Sequence, residues 1–410
     1  MYGLMRDLLF CLPEERSHRL ALQGLDLAAR LRLGGLLGGV RADAGVPVNV
    51  MGLKFPNALG LAAGLDKNAD HIDGLAALGF GFIEIGTVTP RPQAGNPLPR
   101  LFRLPEQQAI INRMGFNNKG IDHALARIAA SRYQGIVGIN IGKNADTPVE
   151  NAVDDYLIGL RKAWPHAGYV VVNLSSPNTP GLRSLQYGDD LRRLLDALCS
   201  EAQALRAADG RHVPLVVKIA PDLTGEEIGV VASTLREFAI DGVTATNTTL
   251  SREGVEQNAR HQEAGGLSGA PLRARSTRVI ERLHKALDGA LPIIGVGGIS
   301  SLADVREKLA AGASLVQIYS GFIYQGPPLV GEIVKGLQAG DLKSRHAPHQ
   351  EPHQKPHQKP HQAPRQDLDQ EPHQEPHPEL DQETGQGTGA SGSHGNRRPN
   401  PAADSGDVAP

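Results

Sequence analysis

Cysteine is almost absent from this 410-residue sequence, which contains only Cys11 and Cys199. Two cysteines cannot build a disulfide framework or, by themselves, a metal site. Free cysteines are typical of a reducing compartment, so the composition indicates the cytoplasm. Arg6 and Asp7 interrupt the first apolar stretch, which makes that stretch a poor match to a signal peptide.

Long apolar runs and a strong net charge are missing as well. No run of about 18 uncharged apolar residues occurs, so the sequence predicts no membrane-spanning helix. The formal net charge of -2 implies no strong electrostatic field for nucleic acid. An apolar content of 40% nevertheless supports a sizeable core, with room for one large domain and additional segments.

The composition changes sharply near residue 341. Residues 341–410 contain no aromatic residue, yet they hold 8 of the 15 histidines and 11 of the 29 prolines, many of them in a repeated Pro-His-Gln-x pattern. Such a segment buries too little apolar surface to offset the entropy of ordering, so we predict a disordered, partly polyproline-like tail. The alternative is metal capture by the spaced histidines.

Residues 1–41 predict two helices separated near Pro13. A charged stripe runs along the second helix, with apolar residues on both of its sides: Leu20, Leu27 and Leu31 on one, and Leu22, Leu25 and Ala29 on the other. A surface helix needs only one apolar face, so part of this helix requires a second partner. Two interpretations remain open. The segment is either a small helical subdomain packed on the main domain, or a hairpin that rests on an anionic membrane surface or accepts an apolar ligand.

The rest of the chain predicts a barrel. Residues 46–55 indicate a β-hairpin that turns near Met51-Gly52, and amphipathic helices then alternate with apolar strands over about 280 residues. The eight strand candidates end near Ala63, Gly86, Asn140, Asn173, Ile219, Thr246, Val296 and Ile318. Eight such units predict an α/β fold of the (β/α)8 TIM-barrel type. A doubly wound open sheet is the alternative, but residues 60–64 lack its glycine fingerprint.

Polar residues collect at the predicted carboxyl ends of the strands, where barrel enzymes place their active sites. Residues 173–182 are the densest such stretch, with two amides, two serines and a threonine around two prolines, although a surface turn would also fit them. No histidine pair or carboxylate cluster joins this rim, which argues against a metal centre and glycosidase chemistry. Glycine-rich residues 295–298 and the facing residues 319–321 suit a phosphate group, unless the glycines only turn the chain.

Several ordered motifs resemble the class 2, quinone-dependent dihydroorotate dehydrogenases. They are LAAGLDK at 61–67, EIGTVTPRP at 84–92, NRMGFNN at 112–118, GINIGKN at 138–144, SSPNTPG at 175–181, VKIAPD at 217–222, ATNTT at 245–249 and GLSG at 266–269. The resemblance runs from residue 1 to about residue 338. Class 1 enzymes carry a cysteine base in the loop after strand four, where this sequence has Ser176.

The resemblance implies an FMN enzyme that oxidises (S)-dihydroorotate to orotate in pyrimidine (UMP) synthesis and passes the electrons to a membrane quinone. It implies a helical quinone and membrane subdomain at residues 1–45 and an FMN-binding barrel at residues 46–340, followed by the tail at residues 341–410. It also implies a monomer in peripheral contact with the cytoplasmic side of the cell membrane, without a nucleic-acid partner or a metal.

The resemblance assigns the following roles. Ser176 is the catalytic base, and Thr179 and a water path past Phe116 carry its proton away. The substrate-binding residues are Lys67, Asn112, Arg113, Met114, Gly115, Phe116, Asn173, Asn178, Asn247 and Thr248. The FMN-binding residues are Ala63, Gly64, Leu65, Asp66, Lys67, Thr87, Asn140, Asn173, Lys218, Thr246, Gly269, Gly298, Tyr319 and Ser320.

Two other functions are the alternatives. The first is a class 1-type FMN barrel that uses fumarate or NAD, against which Ser176 and the N-terminal helices argue. The second is a non-catalytic barrel whose histidine-rich tail binds metal, against which the intact set of rim residues argues.

Overall fold

The computed structural model describes residues 2–41 and 44–346, with side chains described up to residue 339. The last described helix ends at His346, so the predicted start of the tail at residue 341 falls within a helix. Residues 347–410, which carry the predicted disorder and the alternative of metal binding, lie outside the described residues.

The N-terminal part contains two helices and a hairpin, as the sequence predicts. Helices α1 (Tyr2–Phe10) and α2 (Glu14–Arg30) are separated near Pro13. Acidic residues open α2 and an arginine closes it, which suits the dipole of the helix. Strands β1 (Val48–Val50) and β2 (Leu53–Phe55) form an antiparallel hairpin. 

Eight parallel strands then close into a barrel, which confirms the predicted fold class. In order around the barrel they are β3 (Leu59–Leu61), β4 (Phe82–Val88), β7 (Ile136–Ile141), β8 (Tyr169–Asn173), β9 (Leu215–Ile219), β10 (Gly242–Ala245), β12 (Ile293–Val296) and β13 (Leu315–Ile318). Strand β13 pairs with β3 and completes the ring. Each strand ends within two residues of its predicted end, because buried parallel strands are continuous apolar runs that a sequence reveals well.

Helices follow the strands on the outside of the barrel. They are α3 (Ile72–Ala76), α4 (Ile121–Ala130), α5 (Ala152–Ala163), α6 (Gly188–Asp209), α7 (Gly225–Glu237), α8 (Arg273–Leu287), α9 (Leu302–Ala310), α10 (Ser320–Gln325) and α11 (Pro328–His346). Their apolar faces pack on the outward side chains of the strands and form the main core. Helix α7 begins with a capping box, in which the Thr224 side chain accepts from the Glu227 backbone and the Glu227 side chain accepts from the Thr224 backbone.

The barrel is blocked at the amino ends of its strands. Phe55 of the hairpin packs edge-on against Phe82 inside the barrel, with 5.1 Å between the ring centroids. Phe82 in turn packs against Tyr169, with 6.2 Å between the centroids. Because these aromatic side chains fill that end, a ligand of the barrel enters from the opposite end, where the strands have their carboxyl termini.

A small antiparallel sheet, which the sequence analysis did not predict, stands beside this open end. It contains β5 (Leu101–Leu104), β6 (Ala109–Asn112) and β11 (Gly266–Gly269), with β6 in the middle. Two of these strands lie in the connection after β4, and the third lies between β10 and β12. The sheet forms one wall of the site described below, since Asn112 and Gly269 lie at its ends.

Helices α1 and α2 are fastened to the barrel by specific contacts. The Tyr2 hydroxyl donates to the Ile323 carbonyl at 2.7 Å. The Arg100 guanidinium donates to both carboxylate oxygens of Glu15, at 2.8 and 3.1 Å. Leu22 of α2 is buried, whereas Leu27 on another face of the same helix is 58% exposed. No helix of the described residues is long and apolar enough to cross a bilayer.

Candidate active site

A cavity lies at the carboxyl ends of the barrel strands and holds most of the residues that the sequence analysis selected. It encloses about 970 Å³ of empty space, a volume that includes its open mouth. Its predicted lining residues are Ala63, Gly64, Lys67, Thr87, Asn112, Met114, Gly115, Phe116, Asn173, Ser176, Asn178, Lys218, Thr246, Asn247, Thr248, Gly269, Gly298, Tyr319 and Ser320.

Four of the residues predicted to bind the substrate or FMN do not line this cavity. The Arg113 guanidinium turns away and pairs with Glu263 at 2.6 Å. Asn140 is buried behind Thr87, whose hydroxyl donates to the Asn140 amide oxygen at 2.5 Å. Leu65 belongs to the core, and the Asp66 carboxylate accepts from the backbone amides of residues 70 and 71.

Amide side chains from different loops meet at the mouth of the cavity. Asn178 donates to the Asn112 amide oxygen at 3.3 Å, which joins the loop after β8 to the small sheet. Asn247 donates to the Ser175 hydroxyl at 3.0 Å and is 3.4 Å from the amide oxygen of Asn173. Amides present both donors and acceptors, so the cluster suits a flat polar ring that carries both kinds of group.

Ser176 is buried at the same place, in the loop after β8. Within the described part of the chain, the hydrogen bond of its hydroxyl is the one it accepts from the backbone amide of Asn178, at 3.2 Å. No carboxylate or imidazole of the described residues contacts it. The hydroxyl hydrogen is therefore free to point into the cavity or toward a relay group.

Two threonines beside Ser176 have unsatisfied hydroxyl groups. The Oγ1 atoms of Thr179 and Thr248 are buried and have no hydrogen-bond partner among the described residues. The amide oxygen of Gln317, on the inner wall of the cavity, is also buried and has no hydrogen-bond partner among the described residues. A buried polar atom without a partner costs free energy, so the atoms of Thr248 and Gln317, which line the cavity, are suited to a polar ligand. Thr179 does not line the cavity.

A buried polar network forms the floor of the cavity, and the sequence analysis missed its centre. The Glu84 carboxylate accepts from Asn140 at 2.8 Å and from Gln317 at 2.6 Å, and the ammonium of Lys218 lies 3.8 Å away. Burial, reinforced by the charge of the Glu84 carboxylate, raises the pKa of the Tyr169 hydroxyl well above its usual value. The sequence signal that could have revealed this network is Glu84, a glutamate inside the apolar run of β4. The network gives Lys218 a fixed counter-charge under the cavity.

Lys67 lies on the opposite wall and donates to the Gly64 carbonyl at 3.0 Å. Burial lowers the pKa of its ammonium to about 8, partly offset by the charge of Glu15. The cavity therefore holds two cations, Lys67 and Lys218, and both suit an anionic ligand.

The glycine loops after β12 and β13 approach the cavity with their backbones. A Cβ atom on Gly298 would lie 2.4 Å from the Cα atom of Arg273, and one on Gly321 would lie 2.0 Å from the Ile299 carbonyl oxygen. Only glycine fits either position. The space beside them is lined by backbone and by the Ser320 hydroxyl, which is 2.8 Å from that of Ser268. 

Lys308 supports this loop from behind, and nothing in the sequence indicated it. Its fully buried ammonium donates to the Ser276 hydroxyl at 2.5 Å, and Ser276 donates to the Gly297 carbonyl at 2.9 Å. Burial lowers the pKa of Lys308 to about 7. The lysine holds the start of α8 and, through Ser276, the glycine loop.

A second and larger cavity lies between helices α1 and α2 and the barrel. Apolar side chains such as Met5, Leu9 and Leu20 line it, and His18 and Arg103 are among its polar residues. Burial, together with the nearby charge of Lys67, lowers the pKa of His18 to about 4, so the imidazole is neutral at physiological pH. Leu65 and Asp66 line this cavity rather than the first.

The two cavities share one wall. Lys67, Met114 and Tyr319 each line both of them. A Cβ atom on Gly64 would lie 3.2 Å from the Tyr319 ring, so this glycine allows the ring to pack close to the backbone at the wall. Ligands in the two cavities would thus be separated by single side chains.

Comparison with known proteins identifies the family to which the chain belongs. The model of the family described as dihydroorotate dehydrogenase matches residues 46–340. A "Dihydroorotate dehydrogenase (quinone)" of Azotobacter vinelandii is 61% identical over 83% of this chain and 97% of its own. One of Pseudomonas fluorescens is 62% identical over 83% of this chain and 99% of its own. A solved structure of Eimeria tenella DHODH in complex with ferulenol is 38% identical, with a TM-score of 0.72 over 81% of this chain and 92% of its own.

Proposed function

Since the chain belongs to the quinone-dependent dihydroorotate dehydrogenases, we propose that its two cavities serve the two half-reactions of that enzyme. Dihydroorotate is oxidised to orotate and a quinone receives the electrons, in pyrimidine synthesis. The observation that carries the proposal is the shared wall of Lys67, Met114 and Tyr319. It allows electrons to leave a cofactor in the first cavity for an acceptor in the second without the two substrates meeting.

We assign the first cavity to FMN. When bound, FMN would accept the hydride from C6 of dihydroorotate and later yield two electrons to the quinone. The glycine loops and Ser320 would hold its phosphate, because exposed backbone amides suit an anion. Lys218, fixed near Glu84, is the cation we assign to the negative charge of the reduced flavin. The other residues that we assign to FMN are Ala63, Gly64, Thr87, Thr246, Gly269, Gly298 and Tyr319.

The amide cluster would bind the substrate. Asn112 ends β6, Asn173 and Asn178 lie in β8 and the loop after it, and Asn247 follows β10, so three parts of the chain bring donors and acceptors to one mouth. The unsatisfied hydroxyl of Thr248 would complete the set. Lys67 would attract the substrate carboxylate and stabilise negative charge that develops near the reacting carbons. Several short polar side chains would hold the substrate in one orientation, and such positioning accelerates a hydride transfer between two bound molecules.

Ser176 would take the proton from C5 of the substrate. A serine hydroxyl is a weak base, so its own proton must move on as the new one arrives. Thr179 has a buried, unsatisfied hydroxyl in the same loop, and we assign it as the next group of the route. Phe116, on the cavity wall, would border the water path to solvent.

The second cavity would receive the quinone. Its apolar lining suits the ring and tail, and His18 and Arg103 would face the quinone oxygens. Leu4, Leu8, Leu27 and Leu36 of the N-terminal segment are all more than half exposed, which is a large apolar surface for a water-facing segment. We therefore propose that residues 1–45 form a subdomain that contacts the cytoplasmic side of the cell membrane, attached to an FMN barrel of residues 46–340 in a monomeric protein.

Ser176→Ala tests the assignment of the two half-reactions. FMN should remain bound, and its reduction by dihydroorotate should slow by about 10²–10⁴-fold, as is typical when acid–base catalysis is lost. Reoxidation of chemically reduced enzyme by a short-chain quinone should keep its wild-type rate, because Ser176 does not line the second cavity. Near-normal reduction in a stopped-flow experiment would remove Ser176 from the mechanism, and slowed reoxidation would contradict the separation of the sites.

A further inference from the structure

Arg183 lies behind the active site and joins three of the loops that form it. Its Nε donates to the Ser175 carbonyl at 3.0 Å, in the loop after β8. Its Nη1 donates to the Asp222 carboxylate at 2.9 Å, in the loop after β9. Its Nη2 donates to the Thr248 carbonyl at 3.0 Å, in the loop after β10. Arg183 itself does not line the cavity, so it acts through the groups that it holds.

The Ser175 carbonyl belongs to the peptide that leads directly into Ser176. Fixing this carbonyl fixes the plane of that peptide, and with it the direction in which the Ser176 side chain leaves the backbone. The hydroxyl of Ser175 accepts from Asn247, so the same segment is also tied to a substrate-binding amide. A change of the loop would therefore displace Ser176 relative to the amide cluster.

The acidic partner of Arg183 is itself held in place. One oxygen of the Asp222 carboxylate accepts from Arg183 and from the backbone amide of Leu250, the latter at 3.1 Å. The other oxygen accepts from the Thr249 hydroxyl. A planar guanidinium directed at three fixed acceptors sets both distance and angle, which a lysine ammonium cannot do.

We propose that Arg183 is a positioning residue for the removal of the C5 proton, because it holds the loop that carries Ser176 against the loops after β9 and β10. The inference rests on the proposed function for the identity of the base. Arg183 and Asp222 are each only about one-fifth exposed, so removing the guanidinium also costs stability. A purely structural role predicts a lower melting temperature with a wild-type reduction rate in the folded variant, whereas a positioning role predicts a slow rate in the folded variant.

The test is Arg183→Gln, with Arg192→Gln as the matched control. Arg192 forms a two-point ion pair with Glu237 on the outside of the barrel, remote from the site. In Arg183→Gln, flavin reduction by dihydroorotate should slow by about 10²-fold, the loss expected for a displacement of about 1 Å. Deuterium at C5 should slow the variant more than it slows the wild type. At a temperature at which both variants are folded, FMN content should remain close to wild type, and Arg192→Gln should behave as wild type throughout.

The double variant Ser176→Ala/Arg183→Gln identifies the residue through which Arg183 acts. If Arg183 only positions Ser176, the second substitution should add no further slowing to Ser176→Ala, because interacting residues are not additive. Full additivity, or an unchanged rate in Arg183→Gln alone, would overturn the proposal. Normal reduction in Ser176→Ala would instead remove the proposed base and the proposal with it, so the two failures are distinct.

Chemical rescue covers the case in which Arg183→Gln folds poorly. Adding guanidinium at millimolar concentration to Arg183→Ala should restore part of the reduction rate, whereas sodium at equal ionic strength should not. Arg183→Lys should remain slow, because one ammonium cannot satisfy all three acceptors in the same geometry. Equal rates in the guanidinium and sodium solutions, together with a wild-type rate in Arg183→Lys, would refute the positioning role.

Discussion

Replacement of Leu27 by glutamate tests whether the exposed face of α2 binds a membrane. Leu27 is 58% exposed and does not line the second cavity. Full burial of a leucine is worth about 1.5–3 kcal/mol, so its exposed part would contribute about 1–2 kcal/mol in a bilayer. Since 1.4 kcal/mol is a factor of ten, losing that contribution should weaken liposome binding by roughly 5- to 30-fold, and the added carboxylate should weaken it further.

The assay compares vesicle binding with two quinones. In Leu27→Glu, the KM for a long-chain quinone in anionic vesicles should rise, because the enzyme then spends less time at the bilayer. The KM for a soluble short-chain quinone and the rate of FMN reduction by dihydroorotate should both be unchanged. Leu31→Glu, at another exposed position of the same segment, should weaken vesicle binding similarly. Leu20→Glu should weaken it too, but it should also raise the KM for the short-chain quinone, because Leu20 lines the second cavity.

Two controls separate membrane binding from folding. Val230→Glu introduces the same charge at a 50% exposed apolar position on α7 of the barrel, and it should leave vesicle binding unchanged. Leu22→Glu introduces the charge at a buried position of α2, and it should lower the melting temperature. Wild-type vesicle binding and long-chain quinone use by a stable Leu27→Glu protein would refute the reasoning, and the helices would then be only a structural subdomain.

Two further predictions concern the first cavity. Gly298→Ala should lose FMN, since its Cβ would lie 2.4 Å from the Arg273 Cα. The control is Gly289→Ala, at a glycine with a similar positive φ but no atom within 4 Å of the added Cβ, which should keep FMN and lose only about 1 kcal/mol of stability. Equal FMN content in the two variants would contradict the assignment. Because burial lowers the pKa of Lys67 to about 8, this residue loses its charge as the pH rises through that value, so the KM for dihydroorotate should increase above about pH 8. Lys67→Arg should abolish that increase, and a KM that stays flat to pH 10 in the wild type would show that Lys67 does not bind the substrate as a cation.

The barrel could be predicted from the sequence because its strands are apolar runs, and their polar ends identify the open rim. The small sheet could not be predicted in this way. Its strands β5, β6 and β11 have only four residues each, and β11 has a glycine at both ends, so side-chain periodicity gives no signal. The pairing of β6 with β11 spans some 150 residues and depends on the closed barrel that brings the two strands together.

The direction in which each side chain points could not be predicted from the sequence either. Asn140 follows an apolar run as Asn173 does, yet only Asn173 lines the cavity, because Asn140 is covered by Thr87. Arg113 lies among cavity residues in the sequence, but it pairs outward with Glu263. Arg183 binds partners as far as 65 residues away, a relation that one sequence does not display. The local sequence pattern therefore identified the rim of the barrel, whereas tertiary contacts determine which of its residues point into the cavity.

We propose that one cofactor in the first cavity passes electrons between two substrates that bind at separate sites. The most direct measurement is the visible spectrum of the purified full-length protein under anaerobic conditions, with dihydroorotate and then a quinone added in turn. We predict a flavin spectrum that one equivalent of dihydroorotate bleaches with formation of orotate, and that a quinone restores whether or not orotate is bound. A protein without flavin, a flavin that dihydroorotate does not bleach, or a quinone that competes with dihydroorotate would contradict the account.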